Sequence, residues 1–280
     1  LVPNGNGYIY NHVTDTFAQI TDSDFTANGN PQLVVYIDGY FCLTTDSKKF
    51  IVSALNDGLS YNALDFGTAE SDPDEIVAPI VFKNQLFIGG SQTIEAFQNI
   101  GGADFPFQRT GLFLSKGIDS PFSIQSLQGT FVFIGSGQNE SPAIWAFEGN
   151  DAVKISTTAI DKELSNLTQN QVTSIYSWGY AEKGAYFVGF ALPSSTLVYD
   201  IITKRWHGRK SVIEGDLGGY RVTALVRAYN KIWAGDLVDG RIGNLDPDFY
   251  TEYGTEIRRS IVTQPFQNNM ESFVVPEIEL

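Results

Sequence analysis

Short apolar runs alternate with polar turns along the whole chain, and one kind of run recurs at a nearly constant interval. Five segments place an aromatic residue inside such a run, and four of them close on glycine. They are Phe41-Cys42-Leu43, Phe87-Ile88-Gly89, Phe133-Ile134-Gly135, Phe187-Val188-Gly189 and Trp233-Ala234-Gly235. From Phe41 onward, the aromatic positions are spaced by 46, 46, 54 and 46 residues. A sustained interval of this length indicates an internal structural repeat.

The neighbours of these segments also repeat. In four of the five, a short apolar run and a turn come first, and the turns are Asp38-Gly39, Lys83-Asn84, Gln128-Gly129 and Tyr229-Asn230. Asp-Gly between apolar runs is a strong hairpin signal, because type I′ turns need positive φ at both central positions. A third apolar run follows each segment, centred on Ile51, Ile94, Ile144, Val198 and Ile242, and a sixth copy of that run lies at Ile9.

Two copies of the third run agree in detail. Tyr10-Asn11 is followed by Thr14 and Phe17, and Tyr199-Asp200 is followed by Thr203 and Trp206 at the same offsets. This pattern predicts a strand, a polar turn and a second strand whose aromatic side chain packs back on the first. The repeating unit is therefore three or four antiparallel strands, which at this period is typical of a β-propeller.

Five complete units and half a unit predict an all-β propeller of six blades, with five blades plus a partial one as the alternative. Residues 8–20 would supply the outer strands of the first blade. Its inner strands could come from upstream residues or from the tail, where Ile261–Phe266 and Ser272–Leu280 alternate like strands. We expect the propeller to occupy residues 1–255 of a fragment that begins within a blade. Residues 256–280 would either close the ring or begin a C-terminal β domain.

One insertion departs from the strand pattern. Ile160, Leu164 and Leu167 fall on one face of a helix, and Thr157 or Thr158 could cap it. We therefore expect a short helical insertion near residues 158–169, within the longest of the four intervals.

Composition narrows the classes of function. The 18 basic and 32 acidic residues give a net charge of −14, which argues against a surface built to grip nucleic acid. The single Cys excludes an internal disulfide framework, and two His leave little room for a histidine-rich metal centre.

Candidate catalytic residues are few, and each has a structural interpretation that we favour. Asp38, Glu182 and Asp236 end strands and could form the paired carboxylates of a glycosidase, although Asp is also an ordinary turn residue. His12 and His207 lack the Gly-x-Ser-x-Gly motif of a nucleophile elbow, and they are expected at blade surfaces. Cys42, inside a predicted strand, is expected to be a buried apolar side chain. We therefore predict no catalytic, cofactor or metal site.

Charged clusters are expected to be solvated. The acidic pairs Asp22/Asp24, Asp72/Asp74 and Asp246/Asp248 lack the EF-hand pattern and are predicted to lie in solvated loops. The basic pairs Lys204-Arg205 and Arg209-Lys210 are expected along a solvated blade edge, where they could otherwise meet an acidic partner.

An ordered series of motifs resembles the packaged-DNA stabilisation proteins of short-tailed bacteriophages. The resemblance runs from about Glu75 to the end of the chain. It is carried by Gly89-Gly90-Ser91 and Thr93-Ile94-Glu95 within residues 86–97, Lys116-Gly117-Ile118, residues 134–137, residues 197–200 with Trp206, residues 250–254 and residues 261–266.

The resemblance implies a non-enzymatic structural virion protein, a hub in the phage tail. Such proteins join the tail beneath the portal and keep packaged DNA from leaking. They form a ring homo-oligomer that contacts the portal adaptor ring, the needle plug and the tailspikes. The implied location is the virion tail, assembled in the bacterial host cytoplasm, with no cofactor, no membrane and no sequence-specific nucleic-acid binding. The interface residues are not implied.

Two other functions remain open. A propeller glycosidase would need two carboxylates facing each other across the channel, roughly 5–10 Å apart. A cellular propeller that binds peptides or sugars would need a recessed aromatic pocket and no ring oligomer. For a tail hub, the acidic charge would let DNA slide past without binding.

Overall fold

The computed structural model describes residues 6–69, 75–102 and 105–260, and in these ranges the chain is almost entirely β. It begins with a hairpin of β1 (Tyr8–Asn11) and β2 (Thr16–Gln19), followed by a 3₁₀ helix (Ser23–Thr26). The predicted tail strands Ile261–Phe266 and Ser272–Leu280, and the acidic pair Asp72/Asp74, lie outside the described residues.

Five antiparallel sheets follow in chain order within the described ranges. The first contains β3 (Pro31–Ile37), β4 (Tyr40–Thr45), β5 (Lys49–Ala54) and β6 (Asp57–Thr68). The second contains β7 (Ile76–Phe82), β8 (Gln85–Gly90), β9 (Ile94–Asn99) and β10 (Phe107–Leu114). The third contains β11 (Gln125–Leu127), β12 (Thr130–Gly135), β13 (Ala143–Glu148) and β14 (Asp151–Lys154).

The last two sheets differ in size. The fourth has five strands, β15 (Tyr176–Glu182), β16 (Ala185–Ala191), β17 (Thr196–Asp200), β18 (Arg205–Ile213) and β19 (Asp216–Gly219). The fifth has three, β20 (Val222–Ala228), β21 (Lys231–Asp236) and β22 (Ile242–Leu245), and a hairpin of β23 (Thr251–Glu252) and β24 (Thr255–Glu256) follows it.

The first strand of each sheet lies beside the first strand of the next, from β3 through β7, β11 and β15 to β20. Hydrophobic clusters fill the spaces between successive sheets. Sheets that stack face to face around their first strands have the architecture of a β-propeller, as the repeat predicts. The described residues form five sheets and two separate hairpins, so the six-blade count stays a prediction.

The turn between the first two strands has the same conformation in all five sheets. Both central residues have positive φ, as a type I′ turn requires. The five turns are Asp38-Gly39, Lys83-Asn84, Gln128-Gly129, Lys183-Gly184 and Tyr229-Asn230. Lys183-Gly184 is the one that the sequence pattern did not identify.

The recurrent glycines are explained by close approaches at the end of the second strand. A Cβ at Gly135 would lie 1.9 Å from the carbonyl oxygen of Gly117, and one at Gly189 would lie 2.2 Å from the Trp178 ring. No larger residue fits at these two positions unless its neighbours move.

The two matching polar turns also share their chemistry. Asn11 Oδ1 accepts from the amides of Val13 and Thr14, and Asp200 Oδ1 accepts from those of Ile202 and Thr203. Across the strands, Tyr10 pairs with Phe17 and Tyr199 pairs with Trp206, as predicted. By this equivalence, β1 and β2 correspond to β17 and β18, the third and fourth strands of the fourth sheet.

The helical insertion is present but divided. Helix α1 (Thr158–Ser165) starts at the cap Thr157 and buries Ile160 and Leu164. A second helix, α2 (Gln169–Thr173), follows, and Thr168 caps it with a capping box. The helix expected over residues 158–169 therefore ends at Ser165, four residues earlier than expected. No helix in the described ranges has the length and apolarity needed to cross a membrane.

Candidate functional site

The first strands of the five sheets surround a central funnel of about 460 Å³. Its lining is apolar or hydroxyl-bearing, and every one of the five sheets contributes to it. The lining residues are Leu33, Val34, Val35, Pro79, Ile80, Pro121, Phe122, Ile124, Ser126, Tyr176, Ser177, Thr223 and Ala224. Among the described residues, this lining contains no carboxylate, imidazole or thiol.

The loop before the third sheet holds an exposed aromatic side chain in the funnel. The Phe122 carbonyl accepts from the Ser177 amide at 2.9 Å and from its hydroxyl at 3.2 Å. Ser120 Oγ donates to the Ile175 carbonyl at 2.5 Å, and Ser123 Oγ donates to the Ser120 carbonyl at 2.8 Å. Phe122 thus presents an exposed aromatic ring from a loop that these hydrogen bonds hold in place, and the repeat gave no signal for it because this loop is not part of the repeat.

The three candidate carboxylates do not all lie at one rim. Asp38 lies in the turn after β3 and accepts from Asn99 Nδ2 at 3.3 Å, and Glu182 ends β15 at the equivalent turn of the fourth sheet. Asp236 ends the second strand of the fifth sheet, at the opposite rim, and a six-residue strand separates the rims by about 20 Å. No pair of these three residues that includes Asp236 can therefore flank one glycosidic bond.

Asp236 has a structural partner instead. Its side chain is fully buried, and the Arg221 guanidinium donates to Asp236 Oδ2 at 2.6 and 2.7 Å. Asp239 accepts from both Arg221 and Arg241, and Arg241 holds the pKa of Asp239 below its usual range. The Tyr253 ring lies 4.7 Å from Arg221 and 3.9 Å from Arg241, so this ionic cluster attaches the β23–β24 hairpin to the fifth sheet.

The histidines and the cysteine have the environments expected of structural residues. His12 and His207 are exposed. The His207 ring packs edge-on against Phe187, and this partial burial, followed by the nearby Arg209, lowers the pKa of His207. Cys42 is fully buried, and burial raises the pKa of its thiol, which disfavours the reactive thiolate.

The expectation of solvated acidic loops is wrong for Asp22 and Asp24. Asp22 accepts from the amides of Asp24 and Tyr61, and Asp24 accepts from the amide of Ala63. The hydrogen bond from Tyr61 is the largest cause of the lowered pKa of Asp22. These carboxylates join the 3₁₀ helix to β6. In the described ranges, no group of three or more His, Cys, Asp or Glu residues could hold a metal ion.

The expected basic edge is only partly solvated. Lys204, Arg205 and Lys210 are exposed, but the Arg209 guanidinium lies among the rings of Trp178, Tyr180, Phe187 and Tyr220 at 5.3–5.8 Å. It also donates to the Tyr180 hydroxyl at 2.6 Å. Arg209 therefore stabilises the packing between the fourth and fifth sheets, and the charge pattern alone could not distinguish it from its exposed neighbours.

Comparison with known proteins gives one family. The family model described as bacteriophage P22 Gp10, beta-propeller, matches residues 1–250. The tail hub protein gp10 of Salmonella phage P22 is 24% identical over 207 residues, which cover 71% of this chain and 43% of that protein. The chain thus spans less than half the length of this relative.

Solved structures resemble the chain in fold only. A chain of the mitotic checkpoint complex has a TM-score of 0.52 and 11% identity, with 85% of this chain and 69% of that chain covered. The extracellular domain of a one-component system from B. thetaiotaomicron has a TM-score of 0.50 and 11% identity, with 89% and 31% covered.

Proposed function

Because the chain belongs to the bacteriophage P22 Gp10 β-propeller family, we propose that it is a structural, non-enzymatic part of a phage tail hub. The family match over residues 1–250 carries this proposal. The relative from Salmonella phage P22 is itself a tail hub protein. In this role the protein would join the portal adaptor ring, the needle plug and the tailspikes in the virion tail, after assembly in the host cytoplasm.

The packing of the sheets suits a module that positions partners. Clusters of fully buried side chains fill the spaces between successive sheets, and closely packed interiors deform little. The loops at both rims are therefore held at fixed positions relative to one another. Such a module can present several surfaces at once to different tail proteins.

In a ring homo-oligomer, the channel that retains DNA would lie between the copies and not in the funnel of one chain, whose volume is about 460 Å³. The −14 charge favours a channel wall that does not bind phosphate.

Co-purification with a reconstituted portal–adaptor complex of the same phage tests the proposal. We expect the protein to bind the complex and to form a ring at the portal exit, which electron microscopy would show. Portal that lacks the adaptor ring is the matched control, and the protein should not bind it. A full-length protein that ignores the complex would contradict the proposal.

DNA binding gives a separate test of the channel. We expect the protein not to retard duplex DNA at physiological salt, since the −14 net charge of this chain repels phosphate. Tight binding at that salt would contradict the retention of DNA by protein contacts alone.

A further inference from the structure

A cavity of about 400 Å³ lies between the fourth and fifth sheets, at the rim opposite the type I′ turns. Its lining comes from the starts of β15 and β17, the ends of β16 and β18, the link between β19 and β20, and the turn after β21. Tyr176 lines both this cavity and the central funnel, so the two spaces are neighbours. The volume lies within the roughly 300–1,000 Å³ that is typical of ligand sites. We call this space the inter-sheet cavity.

The inter-sheet cavity has a buried cation in its wall. The Arg221 side chain is 8% exposed, and its Nε and Nη2 atoms donate to the carboxylates of Asp236 and Asp239. Within the described ranges, Nη1 makes no hydrogen bond, although it carries two N–H groups. Because a buried donor without a partner raises the free energy of the folded protein, a ligand with acceptor atoms would stabilise this wall.

Two hydroxyl groups of the fourth sheet line the same cavity. Tyr176 packs with Trp178 on the face of β15 that is turned toward the fifth sheet, and Thr196 lies on the same face as Val198. Neither hydroxyl forms a hydrogen bond with another described residue. Burial raises the pKa of Tyr176, so its hydroxyl keeps the proton that it can donate.

The rest of the wall is largely apolar. Leu192 and Ile213 line the inter-sheet cavity, and Leu237 and Val238 continue the apolar surface to the rim, where they are 65% and 47% exposed. Among the described residues, the lining contains no carboxylate and no lysine. The neighbouring ionic cluster contains two arginines and two aspartates, so it carries no net charge that would repel an anion.

The number of free donors indicates the class of ligand. Arg221 Nη1 offers two N–H groups, and the hydroxyls of Tyr176 and Thr196 offer one O–H each. A carboxylate has about four acceptor positions, whereas an amide carbonyl has about two. Hydrogen bonds to a charged acceptor are also about twice as strong as those between neutral groups. The donors therefore favour a carboxylate, and the apolar wall favours an aliphatic group attached to it.

We propose that the inter-sheet cavity binds the C-terminal end of a partner peptide chain whose last residue is aliphatic. The terminal carboxylate would accept from the free donors, and the last side chain would lie against Leu192 and Ile213. Leu237 and Val238 favour a chain end over a free aliphatic acid, because the residue before the last would cover their exposed apolar surface. This chemistry does not depend on the tail hub role, so either proposal can fail without the other.

Isothermal titration calorimetry of the full chain with three probes tests the proposal. The first probe is acetyl-leucyl-leucine with a free C-terminal carboxylate, the second is the same peptide with a C-terminal amide, and the third is isocaproate, a free aliphatic acid. We expect the peptide acid to bind about tenfold more tightly than its amide, because the amide has no charge and fewer acceptor positions. Isocaproate should bind more weakly than the peptide acid, since it leaves Leu237 and Val238 exposed.

Variants of the two hydroxyl residues locate the bound carboxylate. Tyr176→Phe and Thr196→Val each remove one donor and keep the shape of the side chain, so each should weaken binding of the peptide acid about fivefold. Tyr186→Phe, at a half-buried position on β16 outside the cavity lining, is the matched control and should leave the affinity unchanged.

A glycine in the lining allows the cavity to be blocked. A Cβ at Gly219 would have no atom within 4 Å, so Gly219→Leu should fold normally and abolish binding by occupying the cavity. Gly218→Leu, at the neighbouring residue outside the lining, is the matched control, because its Cβ meets Ile213 at an ordinary contact distance of 3.6 Å. It should bind the peptide acid as the unaltered chain does.

Four results would overturn the proposal. One is the absence of binding by all three probes, and another is equal affinity for the peptide acid and its amide. A third is undiminished binding by Gly219→Leu while thermal unfolding shows that the variant is folded. The fourth is isocaproate binding as tightly as the peptide acid, which would assign the cavity to a small carboxylate instead of a chain end.

Discussion

The interface between the second and third sheets and the interface between the fourth and fifth are built differently. The first contains eleven buried hydrophobic residues, with Phe131 and Phe147 stacked at 4.9 Å. The second contains three buried residues, Trp178, Tyr180 and Val198, and relies on Arg209 placed among aromatic rings. The middle of the molecule is thus stabilised by apolar burial, and its last sheet by aromatic, cationic and ionic contacts.

This difference follows from what each sheet has on its two sides. The second and third sheets are covered on both faces, so their strands are continuous apolar runs such as residues 131–134. The fifth sheet is covered on one face by described residues, and its strands carry exposed side chains on the other. Similar repeat motifs can therefore occupy sheets of quite different local stability.

The largest expected difference comes from deleting an apolar side chain on each side of the comparison. Phe131→Ala leaves a large cavity and should lower the free energy of unfolding by about 3–5 kcal/mol. Leu225→Ala, partly buried against the fourth sheet, should cost about 1–2 kcal/mol. Chemical denaturation of both variants measures the two values, and equal losses would show that the two interfaces are equally packed.

The ionic cluster of the fifth sheet should give the next largest effect. Asp236→Ala leaves the buried Arg221 with the longer ion pair to Asp239 and the Tyr253 ring, at a cost of about 2–4 kcal/mol. Asp248→Ala removes an exposed pair with Lys183 and should cost less than about 0.5 kcal/mol. Urea unfolding of both variants measures the two losses in the free energy of unfolding. A small loss for Asp236→Ala would mean that apolar packing alone holds the last sheet in place.

The same repeat position can be compared in the fourth and fifth sheets. Gly189→Ala forces a Cβ toward the Trp178 ring at 2.2 Å and should cost about 1–3 kcal/mol. Gly235→Ala meets only the Thr223 hydroxyl, at 2.9 Å, which can rotate, so we expect a few tenths of a kcal/mol. Thermal unfolding of the two variants would refute a difference in packing if their melting temperatures fell equally.

The smallest expected effect concerns pH at the interface of the second and third sheets. Burial raises the pKa of Asp119, while the Ser136 hydroxyl, which donates to it at 3.0 Å, opposes the rise. The folded protein therefore binds this proton more tightly than the unfolded chain. Its contribution to the free energy of unfolding falls as the pH rises from about 4, the unfolded pKa, through the raised folded pKa.

Asp119→Asn removes this titration and should make that fall shallower. Ser136→Ala removes the hydrogen bond that lowers the pKa and should make it steeper. Unfolding measured from pH 4 to 7 gives both slopes, and an Asn variant with the original slope would exclude Asp119 as the cause.

The repeat predicted most of the fold because each unit carries its own local signals. The turn at Asp38-Gly39, the strand around Ile94 and the cap at Thr157 are all decided by neighbours in sequence. The site was less predictable. Phe122 belongs to a loop outside the repeat, and the distance from Asp236 to Asp38 depends on which rim each strand ends at.

The sequence by itself determined the all-β repeat, four of its five recurring turns and its family, because period, alternation and turn residues are local properties of a chain. Only the tertiary structure decided that Asp236 pairs with Arg221, that Arg209 lies among aromatic rings and that Asp22 and Asp24 bind backbone amides. Those outcomes depend on residues far apart in sequence, such as Asp22 and Tyr61, which become neighbours only after the sheets have stacked. Burial at that stage determines which charged groups find partners and which stay in solvent.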